Sequence, residues 1–585
     1  MKPDSLPTQG LQGTSKTSAA NRFRLVLIKP SHYDDDGYVI QWFRSAVPSN
    51  SLAVMHGLVL DCRARRVLGD DVEMDIRSMD EDNTRVRPEN IVRELKGKAG
   101  MVILVGVQSN QFPRSLDIAR PLRAAGIQVC MGGFHVSGSL SMLGGITPEL
   151  REALDLGISL FAGEAEEKRL DQVLLDAWHG ELKPVYNYLN DLPSLEGAPT
   201  PMLPAATIRG TIGKYTSFDA GRGCPFQCSF CTIINVQGRK SRRRTVDEVE
   251  QIIRRNLEQG VARFFMTDDN FSRNSDWEKI FDRLIDMREK EGLNIKFMIQ
   301  VDTMCHRLPH FIEKAGRAGV RRVFIGLESI NPASLASAGK KQNKIAEYRK
   351  MLLAWKQAGA IVFAGYIIGF PGETPESVLH DIRVIQAELA IDLLEPHCLT
   401  ALPGSADHQH LYKEGAYLDP DLNKYDLEHV TTRHSSMTTP EWEKLYRDTW
   451  KEFYTVEHME TVMRRARATG ISTSNMMVLL VWFHFCIVYE HIDPLQGGFL
   501  RRKHRRDRRP TLPRESILSF YPKITVEAIS KATKLARLAW RFHRFKKKLD
   551  KEPATKNYND VALTADEDTD MASLEMMLTQ ITVAR

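Results

Sequence analysis

Short apolar runs recur along the first third of the chain, each ending in glycine or polar residues. Residues 23–29 (FRLVLIK), 101–107 (MVILVGV), 127–131 (IQVCM) and 158–161 (ISLF) read as strands buried on both faces. A helix-like stretch, Ser115 to Ala125, lies between the second and third runs and is interrupted by Pro121. The fourth run ends at Gly163 and leads into an acidic helix start, EAEEKRLDQVLLDAW. Strands alternating with helices and closing on glycine-rich turns predict a doubly wound α/β domain over 22–183. Ligands of such sheets sit at the C-terminal ends of the strands.

Five prolines between Pro184 and Pro204 mark 184–210 as a linker. A second series of strands follows at 216–220, 262–267, 295–301, 321–327, 361–368 and 391–399. Helices are expected between them at 245–259, 276–290, 307–318, 343–358 and 375–389. Six such units predict a partial (β/α)6 barrel over 211–404, with chemistry again at the C-terminal strand ends. Residues 405–552 read as a mostly helical region. Its apolar run, Met476 to Tyr489, has fourteen residues, too few to span a bilayer. The termini, 1–21 and 553–585, are expected to be disordered, and the N-terminus has no apolar secretory segment.

Composition adds little to this picture: 42% hydrophobic and 26% charged residues suit a soluble, core-forming chain. Charge adds more. Between Arg501 and Glu552 there are 18 Lys and Arg against 5 Asp and Glu, a local +13 within a chain of net +6. The basic character therefore belongs to one C-terminal region. The 8 cysteines are unevenly placed, which points to a metal site in a reducing compartment and not to a disulfide scaffold.

Three of them stand in AGRGCPFQCSFC: Cys224, Cys228 and Cys231. Three thiolates on one tight loop can ligate three irons of a 4Fe–4S cubane, leaving the fourth iron open to a ligand that the cluster reduces. A structural zinc site would need a fourth ligand, which only Cys305 or His306 could supply, through the fold.

This segment resembles the radical SAM superfamily signature, CxxxCxxC, in the form common among members with an N-terminal cobalamin-binding domain. The resemblance covers about 23–400. It implies S-adenosylmethionine (SAM) chelated by the open iron, reductive cleavage to a 5′-deoxyadenosyl radical, and a reducing partner such as flavodoxin or ferredoxin. Phe230 matches the family's aromatic position near the adenine. Asp268, Asp269 and Asn270, at the end of the second barrel strand, replace the Gly-Gly-Glu that binds the SAM amino group in many members; the alternative for them is a helix N-cap. Gln300 and Asp302, Glu328 and Ser329 end the next two strands, where members contact the ribose and methionyl group. GYIIGFPGET, with Ile367 and Gly369, matches the segment whose backbone meets the adenine.

In the first domain, VGVQSN, VCMGGFHVSG and FAGEAE resemble the family's cobalamin-binding turns. The resemblance implies contacts from Ser109, Gly132, Gly133, Phe134, Gly163 and Glu164. The Asp-x-His-x-x-Gly motif of other cobalamin enzymes is absent, and His32 and His135 read as loop residues and not cobalt ligands. LTALPGSADHQ (399–409) resembles the segment that closes the barrel.

The resemblance thus implies a cobalamin-dependent radical SAM methyltransferase acting on an unactivated carbon of a small molecule. It leaves open cyclisation or oxidation without methyl transfer. An iron–sulfur electron-transfer or sensor protein is an alternative of another class, and a methylthiotransferase is disfavoured because Cys62 and Cys130 stand alone. A basic amphipathic helix over 526–549, with Leu535, Leu538, Phe542 and Phe545 on one face, points to a cytoplasmic protein peripheral to an anionic membrane through 476–549, which would fit a lipid or isoprenoid substrate. The alternative is a core helix beside a solvated basic face. Nucleic acid is disfavoured, because no recognition motif accompanies the charge.

Overall fold

The computed structural model describes residues 21–564 except Lys341. Two six-stranded parallel sheets organise it. The first has the order β3-β1-β4-β5-β6-β7, built from β1 (Asn21–Lys29), β3 (Val72–Asp80), β4 (Gly100–Leu104), β5 (Gln128–Gly132), β6 (Ser159–Ala162) and β7 (Val185–Asn187). Alternate residues of β1 feed two separate cores. Phe23, Leu25 and Leu27 pack with Leu52 and Val59 of α1 (Asn50–Ala64) and Leu174 of α6 (Arg169–His179). Val26 and Ile28 pack with Ile91 of α2 (Pro88–Leu95), Ile118 of α3 (Phe112–Ala124) and Leu150 of α5 (Pro148–Asp155). Burial on both faces is why residues 25–28 of β1 read as an unbroken apolar run. α4 (Phe134–Leu143) follows β5 directly.

Several expectations need correction here. The strand β3 and the helices α1 and α2 are additional to the elements expected from the apolar runs. The linker expected over 184–210 is only partly a connector, since β7 adds the last strand of the first sheet and α7 (Ala205–Arg209) is helical. Asn21 already belongs to β1, so only residues 1–20 of the N-terminal disorder expected fall outside the described residues.

The second sheet has the order β15-β14-β13-β12-β11-β8, all parallel. Its strands are β8 (Tyr215–Phe218), β11 (Arg263–Met266), β12 (Lys296–Val301), β13 (Val320–Glu328), β14 (Ile361–Ile368) and β15 (Leu393–Cys398). Helices α9 (Val246–Glu258), α10 (Trp277–Glu289), α11 (Phe311–Ala318), α12 (Pro332–Ser337), α13 (Tyr348–Gln357) and α14 (Pro375–Glu388) connect them. The starts are written in the sequence. Thr245 and Glu248 form a reciprocal capping box on α9, and Pro375 opens α14 behind Thr374.

The C-terminal helices are no independent body. α16 (Thr439–Phe453), α17 (Val456–Ala468) and α18 (Thr473–Phe485) share one hydrophobic core with the barrel, with Phe483 against Phe363 of β14. Thr473–Glu490 is long and apolar enough to cross a membrane by length and composition. Its Met476, Leu480, Phe483 and Cys486 are nevertheless buried in the protein. The face of α19 (Ile517–Lys551) that carries Leu535, Leu538, Phe542 and Phe545 also packs on this core, so protein and not lipid covers it. The region is also not wholly helical: β16 (Gly498–Arg501) pairs antiparallel with β2 (Trp42–Ser45), tying it to the first domain. Residues 553–564, expected to be disordered, form two short helical turns in which Asp560 pairs with buried Arg465 at 2.8 Å; the rest of that tail lies outside the described residues.

Candidate active site between the two sheets

The three cysteines sit on a loop whose two ends are stitched together. β8 leads through Asp219 and Ala220 into β9 (Gly221–Arg222), which pairs antiparallel with β10 (Arg242–Arg243). Gly223 has φ +95°, and a Cβ there would lie 2.4 Å from Lys240 O, so only glycine fits this turn. Cys224 N donates to Gly238 O at 3.3 Å, and Cys231 N to Cys228 O at 3.2 Å. The short helix α8 (Ile233–Val236) follows the third cysteine. All three side chains are partly exposed. Burial raises each thiol pKa, that of Cys231 to about 12, so without iron they stay protonated.

The donor set suits a cluster with one open iron. Cys305 is fully buried in the barrel core, and His306 is held by Thr303 O and Glu347, so neither can be a fourth ligand. Among the described residues, no three His, Cys, Asp or Glu side chains gather closely enough for a single metal ion. The thiols ring a loop instead, which suits a polynuclear cluster in which each takes its own iron.

The residues expected to meet SAM divide into two groups. Phe230 packs with Ile367, Phe370, Ala338 and Leu399 in one apolar cluster at the barrel mouth. Glu328, at φ +64°, closes β13 and ion-pairs with Lys340, which also donates to Gly326 O at 3.0 Å and lies 6.0 Å from the Phe230 ring centroid. Gly369 leaves room for Trp442 of α16: a Cβ there would lie 1.9 Å from the indole.

The second group is turned toward the protein. Asp268 Oδ1 accepts from Ala220 N and Asp269 Oδ2 from Gly223 N, each at 2.7 Å, so this pair braces the cysteine loop. Asn270 precedes a short 3-10 turn but caps it with no side-chain hydrogen bond. Asp302 is consumed by Arg273 (2.6 and 2.7 Å), Asn270 and Ser272 (2.9 Å each), which leaves it no free oxygen for SAM. Gln300 lies 3.5 Å from Asp268 O. Ser329 is buried, and its Oγ accepts from Asn331 N at 2.9 Å.

A cavity of about 160 Å³ opens at the C-terminal ends of β4, β5 and β6 and reaches the cysteine loop at Arg222, Val236 and Gln237. Gly132, Gly133, Phe134, Gly163 and Glu164 line it. Ser109 does not: it is buried, and its Oγ shares a 3.1 Å hydrogen bond with His135 Nδ1. His135 packs on Phe112 at 4.4 Å between ring centroids and is fully buried, and burial lowers His32 to a pKa of about 4; neither lines the cavity. The glycines have structural reasons as well, since a Cβ on Gly133 would lie 2.1 Å from Val107 N. The volume is below the roughly 300–1,000 Å³ of pockets for drug-sized ligands, so it suits one arm of a large ligand.

Glu164 contributes differently from what was expected. It ion-pairs with Arg222 at 2.6 Å and accepts from Arg242 Nη1 at 3.0 Å. Arg222 also reaches Glu166 (2.7 Å) and Asp219 (3.1 Å), and all four residues are buried. Arg222 was legible as a charge beside the cysteine triad, with Asp219 as a local partner, but Glu164, 58 positions away, and Glu166 belong to another domain. Lys340 and Trp442 gave no local signal at all.

The comparisons with known proteins agree with this geometry. The family model of the radical SAM superfamily matches residues 220–385. The chain carries a radical SAM domain. That superfamily implies a 4Fe–4S cluster and SAM. Among curated relatives, bacteriochlorophyllide d C-12(1)-methyltransferase of Chlorobaculum tepidum is 28% identical over 50% of this chain and 64% of its own length. Hopanoid C-2 methylase of Rhodopseudomonas palustris is 26% identical over 36% of this chain and 40% of its own length. The chain thus spans less than two thirds of these relatives. Among solved structures, the radical SAM methyltransferase TsrM of Kitasatospora setae, with cobalamin and a 4Fe–4S cluster bound, has a TM-score of 0.53 at 14% identity, covering 74% of this chain and 90% of its own. The cobalamin-dependent radical SAM enzyme OxsB, with aqua-cobalamin bound, has a TM-score of 0.52 at 14% identity, covering 96% of this chain and 84% of its own. The radical SAM domain here therefore sits in the same overall fold as theirs, behind an N-terminal doubly wound domain.

Proposed function

We propose that this chain is a cobalamin-dependent radical SAM methyltransferase acting on an unactivated carbon of a small molecule. The observation that carries the reading is Arg222, two residues before Cys224, whose guanidinium holds Glu164 and Glu166 at the rim of the glycine-lined cavity. One buried side chain couples the cysteine loop to the cobalamin-like cavity, so the two sites are built to act together.

When bound, the cluster supplies the electron that splits the SAM sulfonium bond, and cobalamin supplies a methyl carrier. The chain does the rest. Cys224, Cys228 and Cys231 would hold the cluster through three of its irons, and an iron without a protein ligand would be free to take SAM. Phe230, Ile367 and Phe370 form an apolar slot for a flat base. Glu328, oriented by Lys340, offers an acceptor for ribose hydroxyls. Gly132, Gly133, Phe134 and Gly163 form a cradle for the nucleotide arm of cobalamin. Gly138 in α4 packs directly on Pro403 and Gly404, so the first domain closes against the barrel's end at that point.

For the substrate, a lipid or isoprenoid is the class proposed, supported by the relationship to the hopanoid methylase. A flavodoxin or ferredoxin would deliver the electron. Anaerobic reconstitution with iron, sulfide and hydroxocobalamin tests the reading. With SAM labelled in its methyl group and a strong reductant, 5′-deoxyadenosine and labelled product are expected. No SAM cleavage by an intact cluster would overturn the radical assignment; cleavage with unlabelled product would overturn methyl transfer.

A further inference from the structure

Away from the candidate active site, a cleft of about 1190 Å³ opens between α2–α3 and the segment 503–521. Some of its cations are already neutralised: Arg85 by Asp507, Arg114 by Glu81, Lys503 by Asp34. Others are not. Among the described residues, Arg87, Arg93, Arg505, Arg506 and Arg514 have no carboxylate partner; Arg93 donates only to Asn90, and Arg505 only to the carbonyl of Glu515. The cleft's other carboxylates, Glu89 and Asp117, are too few to balance five guanidinia, so the space keeps an excess of positive charge that an anion would relieve.

Ile517, Phe520 and Tyr521, in the first turns of α19, form the apolar wall of this cleft. From there α19 carries two apolar stripes. Phe520, Leu538, Phe542 and Leu549 are buried against the protein. On the other side Leu518 is 88% exposed, Tyr521 58%, Ile529 62% and Trp540 62%. The antiparallel pair β2–β16 adds exposed Phe43, Phe499 and Leu500. Lys523, Lys534, Arg537 and Arg541 flank the exposed stripe, and Arg544 lies 4.8 Å from the Trp540 ring centroid. Aliphatic side chains exposed in a row, rimmed by long cations, fit a lipid interface: the apolar stems enter the headgroup layer while the cations meet phosphates.

We propose that the face built from the arginine cleft and the exposed stripe of α19 docks the protein on an anionic phospholipid bilayer, with a lipid phosphate held in the cleft. The proposal stands apart from the methyl-transfer reading. Charge complementarity selects the partner, since 501–552 carries the local +13. A nucleic-acid partner would use the charge but has no use for Leu518, Val526 and Ile529.

The test is co-sedimentation of the full-length, reconstituted protein with vesicles. Binding is expected to vesicles of equal parts phosphatidylglycerol and phosphatidylcholine, weakening with salt, and not to pure phosphatidylcholine. Arg505→Gln with Arg506→Gln should weaken it about thirtyfold. Leu518→Ser with Trp540→Ser, both on exposed positions, should weaken it by at least tenfold while leaving the thermal unfolding midpoint unchanged. Equal binding to both vesicles, or unaltered binding by the Leu518→Ser/Trp540→Ser variant, overturns the proposal. So does tighter binding to inorganic phosphate or duplex DNA than to the anionic vesicles.

Discussion

Glu164 Oε2 accepts a hydrogen bond from Arg222 Nη1 at 2.6 Å across the boundary between the two sheets. Both are buried, so the pair is worth little by itself, but removing one partner strands the other. Arg222→Met would leave Glu164, Glu166 and Asp219 with one cation fewer, at a cost of about 3–5 kcal/mol. Glu164→Gln leaves Arg222 two carboxylates and should cost less, about 1–3 kcal/mol. Chemical denaturation and iron content after reconstitution check this: the Arg222 variant should lose both stability and cluster, the Glu164 variant mainly stability.

Cys224→Ala, Cys228→Ala and Cys231→Ala should each abolish cluster assembly and 5′-deoxyadenosine formation. Cys305→Ala should retain the cluster, because that thiol lies in the barrel core. Removing its buried sulfur should cost about 1–2 kcal/mol of stability instead. Iron and sulfide analysis separates the two cases.

Gly138 of α4 packs so closely on the barrel-closing segment that a Cβ would lie 2.4 Å from Pro403 O. Gly138→Val should wedge the domains apart. Cobalamin retained after desalting, read from its visible absorbance, should fall several-fold, while iron content stays near that of the unaltered protein.

His429 lies 2.9 Å from Asp426 and 3.2 Å from Asp35. Burial by itself would lower its pKa, but the two carboxylates outweigh burial and push it up to about 11. The folded value exceeds the unfolded value of about 6.5, so the pairing stabilises fully below that pH and its contribution fades as pH rises towards 11. His429→Gln should therefore be less stable than the unaltered protein near pH 6, by urea denaturation, and the gap should close towards pH 10.

The buried strands were the most legible part of the chain. Parallel strand segments covered on both faces, such as β14 and residues 25–28 of β1, must be apolar, and that pattern survives without knowledge of neighbours. β3 and β7 were missed because they are edge strands, β3 half-exposed, with no such run. The cysteine loop was legible for a different reason: its ligands are local, at offsets of four and three residues.

By itself, then, the sequence determined the two parallel sheets, the cysteine triad and the glycine turns beside it, all features whose chemistry is complete within a few residues. Only the tertiary structure decided that Asp302 is spent on Arg273, that Ser109 points to His135, and that Glu164 clamps Arg222. It also decided that the apolar face of α19 expected to meet a membrane is covered by protein, while a second face is left open. A side chain's type states what it can bind; which partner reaches it first depends on contacts between residues far apart in the chain, and those exist only once the sheets have packed.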